Sequence, residues 1–267
     1  MHSAIATKQQ PDRGGAFGRQ MKEWRDVRRM SQLDLSLAAE VSSRHVSFVE
    51  TGRSKPSREM VLRLAQALDM PLGDRNELLG AAGYAPAYRA RAMDEASMAP
   101  MNRALEHMLS SHEPYPAVVF DRLWNLKASN GAAMQLFGGL AQADETPNGM
   151  RMVLAPGPMR DMIENWNEVA YATLTRLRRE LAQSGDDPDL VALWEEAKGY
   201  AQGIDLAAGT RDEPVLTLRL RFGDIVLSTF STIAAFGTAQ DIGLRELSIE
   251  HIFPADAETE AFFRQAV

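Results

Sequence analysis

The sequence predicts an all-α domain of five helices followed by an α+β domain. In the first part of this 267-residue chain, apolar residues recur at the three- and four-residue spacing of amphipathic helices. In the last third, apolar and polar residues alternate instead, which is the pattern of half-buried strands. We expect a disordered tail at residues 1–16, the first domain at 17–84, a linker at 85–102, the second domain at 103–256 and a C-terminal segment at 257–267.

The centre of the first domain, residues 31–56, predicts two short helices joined by a tight turn. Ser31 is a good N-cap, and Asp34 makes a short variant of the capping box three residues later. Ser42 caps the second helix, and Gly52 ends it, because a helix commonly ends at a residue in the left-handed conformation, usually glycine. Two helices this short, crossing at a steep angle, form a helix-turn-helix unit, whose second helix enters the DNA major groove.

Three more amphipathic segments complete five helices in about 70 residues. One precedes the helix pair and two follow it, at residues 17–30, 57–68 and 76–82, with Gly83 as the stop of the last.

Eight residues of the central stretch keep a recognisable spacing: Gln32, Leu35, Val41, Ser42, Val46, Glu50, Gly52 and Pro56. This spacing resembles the xenobiotic-response-element (XRE) family of helix-turn-helix regulators, which includes the lambdoid phage repressors and Cro. The resemblance implies a lambda-repressor-like fold that binds double-stranded DNA. One departure is Glu40, which replaces the glycine usual in the tight turn. A non-glycine residue held left-handed costs about 1–2 kcal/mol, so we expect a slightly remodelled turn.

The second helix of the pair supplies the candidate base-reading residues Ser43, Arg44 and Ser47 on its exposed face. Arg44 is the candidate for a bidentate contact with guanine O6 and N7, the commonest specific pairing. Gln32 and Ser42 match family positions that hold phosphates, so the resemblance assigns them to the DNA backbone.

The loop after this helix adds Arg53 and Lys55, which supply charge independent of DNA sequence. Arg25 and Glu50 match a pair that is often ionic in the phage repressors. The resemblance therefore implies a partly buried bridge between the first and third helices. Phe48 stands where many relatives have a polar residue, and we favour packing over contact with a thymine methyl.

Charge separates the two parts of the chain. Residues 13–75 carry 12 Lys and Arg against 8 Asp and Glu, whereas residues 76–267 carry 16 against 27. The whole chain has a formal net charge of −7. A basic segment confined to the helix-turn-helix suits a surface that binds phosphates. The alternative interpretation is that these extra arginines belong to an ordinary solvated surface and bind no phosphate.

The second domain mixes short strands with helices, in a pattern compatible with a PAS-like sheet that has helices on one face. Helices are predicted at residues 101–110, 130–137, 160–184 and 188–202. Strands are predicted at 117–120, 123–128, 215–220, 225–230 and 244–253, with a hairpin signal at Gly223-Asp224.

Three segments of this domain carry a second resemblance: residues 115–137, the helix around Trp166 and Arg178, and residues 227–256, preceded by the connector start AAGYAPAY. They resemble the MmyB-like ligand-binding domain, which often follows this type of helix-turn-helix. The resemblance implies a small hydrophobic ligand, with fatty acids as the best-supported class. The C-terminal part departs from the family, because it lacks a His-Pro pair before the final strands.

Apolar side chains at helical spacing give the candidate ligand site, although each is as readily ordinary core: Trp124, Leu126, Trp166, Tyr171, Leu174 and Leu177. A fatty-acid carboxylate would need a cationic anchor, for which Arg178 and Arg122 are the candidates.

Enzymatic and membrane functions find little support in the sequence. The five histidines do not have metal-ligand spacing, and no phosphate-binding loop or nucleophile motif is present. The absence of cysteine suits a reducing cytosol, and no apolar stretch of 18 residues exists. We expect a cytoplasmic, homodimeric regulator with no metal and no cofactor other than a bound fatty acid. In the alternative, the second domain only dimerises or binds a protein partner.

Overall fold

The computed structural model describes residues 15–140, 146–185, 187–206 and 215–265. The chain divides into two compact units, and the boundary lies between Arg89 and Ala90. Of the predicted tail at 1–16, residues 1–14 lie outside the described residues, and the first helix already includes Ala16.

The first unit consists of five helices, which confirms the predicted all-α domain. They are α1 (Ala16–Val27), α2 (Gln32–Ala38), α3 (Ser43–Glu50), α4 (Arg58–Ala67) and α5 (Leu72–Ala81). Helix α5 begins earlier than the predicted residue 76, because Pro71 holds the extended cap conformation and Leu72 is buried.

Side-chain caps fix where the short helices begin. The Ser31 hydroxyl accepts a hydrogen bond from the Asp34 backbone N–H, and the Asp34 carboxylate accepts one from the Ser31 N–H at 2.8 Å. These bonds lower the pKa of Asp34. Ser42 and Ser57 cap α3 and α4 in the same way. Three local caps thus set the spacing of the helix-turn-helix.

The turn between α2 and α3 keeps its left-handed residue although that residue is Glu40. Its φ is 53°, and the Val41 N–H donates to the Ser36 carbonyl at 2.9 Å, the six-residue closure of a Schellman motif. The expectation of a remodelled turn is wrong. The backbone geometry is retained, and Glu40 bears the strain.

The second unit is built on one antiparallel sheet of five strands in the order β2-β1-β5-β4-β3. One antiparallel sheet combined with helices confirms the predicted α+β class. The strands are β1 (Ala117–Phe120), β2 (Leu126–Ser129), β3 (Leu218–Phe222), β4 (Ile225–Ala235) and β5 (Ser248–Pro254).

The helices of the described part of the second unit precede, interrupt and follow these strands. They are α6 (Ala99–Ser110), α7 (Gly131–Phe137), α8 (Gly149–Leu154), α9 (Pro158–Met162), α10 (Trp166–Gln183), α11 (Pro188–Tyr200), α12 (Ile242–Arg245) and α13 (Ala257–Gln265).

Helices cover both faces of the sheet, not the one face that was predicted. Ala117 and Val119 point toward the core that α6 forms with one face, where they meet Leu105. Val118 and Phe120 point to the opposite face, which α7, α8 and α9 approach. The β1 side chains on both faces are apolar, so each face of the sheet must be buried against other elements.

Two predicted elements are interrupted by contacts from distant parts of the chain. The helix predicted at 160–184 is broken at Ile163, which forms a β-bridge with Leu220. Asn165 then donates to the Thr217 carbonyl at 2.6 Å. The strand predicted at 244–253 begins only at residue 248, because the Asp241 side chain caps the short helix α12.

The domain limits also differ from the prediction at both ends of the second unit. Residues 85–102 are not a simple linker, because Arg91 donates to the buried Asp241 carboxylate at 3.1 Å and α6 begins at Ala99. The segment 257–267 contains α13, where Thr259 accepts a hydrogen bond from the Ser228 N–H of β4 at 2.9 Å. Residues 90–102 and the described part of 257–267 belong to the second unit, whereas residues 85–89 belong to the first.

Candidate functional site

The first candidate surface is the N-terminal half of α3. Its cap Ser42 and the next two residues, Ser43 and Arg44, are exposed, whereas Ser47 is half-buried. Val46 and Val49 on the other side are buried in the core of the unit. The helix therefore has one buried face and one solvent-exposed face.

Two arginines beside this face contact the same aromatic ring, that of Phe48. The guanidinium carbon of Arg44 lies 5.1 Å from the centroid of the Phe48 ring, and that of Arg53 lies 5.9 Å from it. Cation–π contacts of this kind contribute about 0.5–1 kcal/mol at exposed sites. Phe48 is half-buried, so it packs, as favoured from the sequence, and also restrains both charged side chains.

Lys55 lies in the loop after α3, and it is exposed. Its Nζ atom is 5.3 Å from the ring centroid of Tyr84. The Tyr84 hydroxyl donates to the Pro56 carbonyl at 2.9 Å, which anchors the ring. The loop thus presents two cations, Arg53 and Lys55, each beside an aromatic ring.

The predicted bridge between α1 and α3 is confirmed. Arg25 Nη2 donates to Glu50 Oε1 at 2.9 Å, and both side chains are largely buried. The hydrogen bond to Glu50 raises the pKa of Arg25 despite burial, which acts in the opposite direction. Gln32 Nε2 donates to Glu50 Oε2 at 3.1 Å. Gln32 therefore has a structural partner, and its assignment to phosphates stays a prediction.

The second candidate site is an apolar cavity of about 270 Å³ against the sheet face that carries Val118 and Phe120. Helix α7 contributes Met134, and the segment 147–159 contributes Met152 and Met159. The remaining wall is Trp124, Leu126, Ser129, Ala133, Phe137, Gly138, Pro147, Gly149, Val153, Leu218, Glu250 and Ile252. The volume is just below the range of about 300–1,000 Å³ typical of small-molecule sites.

A charged cluster lies behind this cavity. Arg176 on α10 forms a hydrogen-bonded ion pair with Glu250 on β5, and its Nε donates to Glu180 at 2.8 Å. The indole N–H of Trp124 donates to Glu180 Oε2 at 2.8 Å, and the Arg176 guanidinium lies 4.2 Å from the Trp124 ring centroid. Burial acts to lower the pKa of Arg176, but the charges of Glu250 and Glu180 raise it overall.

The structure brings only two of the predicted ligand residues, Trp124 and Leu126, into the cavity wall. Leu174 and Leu177 do not line the cavity and are buried in a core that also contains Trp124 and residues of α8 and α11. Trp166 donates its indole N–H to the Val153 carbonyl at 3.0 Å.

The predicted carboxylate anchors also lie elsewhere, and so does Tyr171, which is half-buried on α10. Arg178 is exposed on α10 and does not line the cavity. Arg122 binds Asp187 and, at 3.1 Å, Asp189. The structure does not bring these residues together in one cavity wall, so their role in ligand binding stays a prediction. Sequence reasoning missed Glu250 and Arg176, which no local motif marks.

A second, more polar cavity of about 450 Å³ adjoins the apolar one. Pro147, Met152 and Met159 line both cavities and therefore form the wall between them. Across this polar cavity, Arg151 binds Glu196 through two nitrogen atoms, at 2.7 and 2.9 Å. The Arg151 contact lowers the pKa of Glu196.

Two family models match this chain. The MmyB-like transcription regulator ligand binding domain matches residues 101–266, and a helix-turn-helix domain matches residues 16–78. The chain belongs to the MmyB-like transcription regulators. Neither family is a family of enzymes, so the non-enzymatic prediction is confirmed. The predicted combination of helix-turn-helix and MmyB-like domains is also confirmed, while the narrower XRE assignment stays a prediction.

Solved structures add little to this assignment of the regulator. The PAS domain of Bordetella pertussis BvgS is 14% identical with a TM-score of 0.28, covering 62% of this chain and 96% of that one. An RNA-binding light-oxygen-voltage receptor is 13% identical with a TM-score of 0.27, covering 93% of this chain and 61% of that one. Both TM-scores are too low to support an argument. No curated protein matches the chain.

The described residues of the regulator contain neither a metal-binding cluster nor a membrane-spanning helix. No group of three or more His, Cys, Asp or Glu side chains there has the arrangement of a metal site. None of the helices in the same residues is long and apolar enough to cross a membrane.

Proposed function

We propose that this regulator reads a specific DNA operator through α3 and responds to a single-chain, mainly apolar ligand in the cavity of its second unit. The observation that carries the DNA half is the exposed N-terminal half of α3, with Arg44 and Arg53 held beside it by Phe48. The regulator then acts in the cytoplasm, where its DNA partner is.

Each part of this surface has a distinct task in the proposal. Ser43, Arg44 and Ser47 read base edges, and Arg44 pairs with a guanine in the major groove. Ser42, Arg53 and Lys55 hold phosphates, which positions the helix without reading sequence. The net positive charge of residues 13–75 supports this phosphate grip.

A homodimer is part of the proposal. One helix-turn-helix buries too little surface for tight specific binding. Two copies on a pseudo-palindrome, with half-sites roughly one helical turn apart, supply the missing contacts. The acidic second unit is the proposed dimer contact, since its charge keeps it away from phosphates.

The ligand half rests on the apolar cavity together with the family. Each buried methylene contributes about 0.8 kcal/mol, so an alkyl chain binds tightly without elaborate polar recognition. Met134, Met152 and Met159 suit a chain of variable length, because methionine adapts to irregular shapes. A medium- or long-chain lipid is therefore the proposed class, with fatty acids as its best-known members.

A function without a ligand is the second candidate, in which the second unit only dimerises or binds a protein partner. Native mass spectrometry of the freshly purified full chain, before and after delipidation, separates the two. A bound single-chain lipid, or its return after addition, supports sensing. No adduct and no thermal shift with any C8–C18 lipid leaves only the second candidate.

Selection of duplexes from a random library tests the DNA half with the same full chain. The proposal expects enrichment of a pseudo-palindromic sequence. Binding without any enriched sequence contradicts operator reading.

A further inference from the structure

The wall of the apolar cavity carries a negative charge. Among the described residues that line it, Glu250 is the charged one, and all the others are neutral. Glu250 is on β5, opposite Val118 of β1, so its side chain lies on the sheet face that forms the cavity floor. Its side chain is only 15% exposed.

The cation that pairs with Glu250 is Arg176, which is not among the described residues that line the cavity. Arg176 is outside the wall and divides its guanidinium between Glu250 and Glu180. Two carboxylates and one guanidinium leave this cluster with one net negative charge.

No arginine or lysine stands on the described wall to balance a second negative charge. Arg178 is exposed on α10 and Arg122 is engaged by acidic residues. An ionised carboxylate placed beside Glu250 would meet a cluster with a net negative charge, and like charges repel. A hydroxyl or amide N–H would instead donate a hydrogen bond to the Glu250 carboxylate, and such charge-assisted bonds are the stronger ones.

We infer that the cavity selects a single-chain amphiphile whose head group is uncharged and donates a hydrogen bond to Glu250, such as a fatty alcohol or a primary fatty amide. An ionised fatty acid is disfavoured. This inference rests on the proposed function, since it assumes that an alkyl chain fills the cavity, and it narrows the class of lipid by its head group.

Three ligands with the same 12-carbon chain test the inference: dodecanol, dodecanamide and dodecanoate. Their affinities for the delipidated full chain are measured by calorimetry at pH 7.5, below the concentration at which each forms micelles. The alcohol and the amide are expected to bind at least tenfold more tightly than the carboxylate. Since the chains are identical, the difference reports the head group alone.

The variant Glu250→Gln identifies the residue responsible. It keeps the shape of the side chain and removes its charge, so dodecanoate is expected to bind at least fivefold more tightly than it does to the wild type. Glu196→Gln is the matched control, because Glu196 also pairs with an arginine but lines the polar cavity instead. That variant is expected to keep the wild-type order of affinities.

Failure of the inference and failure of the proposed function give different results. If dodecanoate binds the wild type as tightly as dodecanol, the head-group inference is overturned while the apolar-ligand function stands. If none of the three ligands binds, the proposed function fails and takes the inference with it. The order of the three affinities for the wild type tests the head-group inference even if Glu250→Gln does not fold. With a folded Glu250→Gln, an unchanged preference for the alcohol refutes the role of Glu250.

Discussion

Replacing Glu40 by glycine measures the strain in the turn between α2 and α3. Glu40 has a φ of 53°, a conformation that costs a residue with a Cβ atom about 1–2 kcal/mol. Glycine avoids this cost but loses about 0.5–1 kcal/mol through its greater freedom in the unfolded chain. Glu40 is exposed, and no hydrogen bond of its side chain is recorded among the described residues. We therefore expect Glu40→Gly to raise the unfolding free energy of the first unit by about 0.5–1 kcal/mol.

Hydrogen exchange of the full chain reports this change in the first unit by itself. The most protected amides of α2, α3 and α4 should exchange about two to five times more slowly in Glu40→Gly, because each 1.4 kcal/mol corresponds to a factor of ten. Glu40→Ala is the control, since it removes the same side chain and keeps the strain. A glycine variant no more protected than the wild type, or an alanine variant equally protected, would refute the reasoning.

Three other predictions concern DNA contacts, assembly and pH. Arg44→Ala should cost about 1–3 kcal/mol of binding free energy on the selected operator and relax the base preference at one position. Arg53→Ala should instead weaken binding to all DNA sequences alike and reduce the slope of affinity against salt by about 1. If both variants lose equal affinity for specific and non-specific DNA, the placement of α3 is contradicted. Sedimentation at micromolar concentration should show dimers on operator DNA, and monomers alone, both free and bound, would rule the dimer out. Burial and the neighbouring charge of His112 lower the pKa of His251. The unfolded chain therefore binds this proton more readily, so the second unit should lose thermal stability as the pH falls below about 6.5. His251→Gln should flatten that dependence between pH 8 and pH 5.5, and an unchanged slope would exclude His251 as its source.

The local signals in the sequence were sufficient for the helix-turn-helix. Ser31, Ser42 and Ser57 cap helices through bonds to residues three positions away, so their pattern is visible without a fold. The hairpin at Gly223 is equally local, since Gly223 has a φ of 59° and the flanking residues Phe222 and Ile225 pair.

The ligand cavity depended on contacts that no local pattern contains. Arg176 and Glu250 are 74 residues apart, and they meet only because the fold brings α10 and β5 together. The break before α10 arises from the bridge between Ile163 and Leu220, two distant positions. Apolar spacing identified Trp166, Leu174 and Leu177 as buried or partly buried but could not decide which neighbour each one faces.

The most direct test of this account is the DNA affinity of the full chain with its cavity empty and filled. Fluorescence anisotropy with the selected operator duplex compares delipidated protein with protein saturated by dodecanol. If the ligand binds the DNA-binding state of the protein more or less tightly than its other state, filling the cavity must change the affinity for DNA. Typical coupling free energies between two binding sites, about 1–3 kcal/mol, change an affinity by factors of about 5–150. We predict a change of at least fivefold. Identical affinities for the empty and filled protein, with ligand binding verified in the same sample, would contradict the claim that the cavity regulates DNA binding.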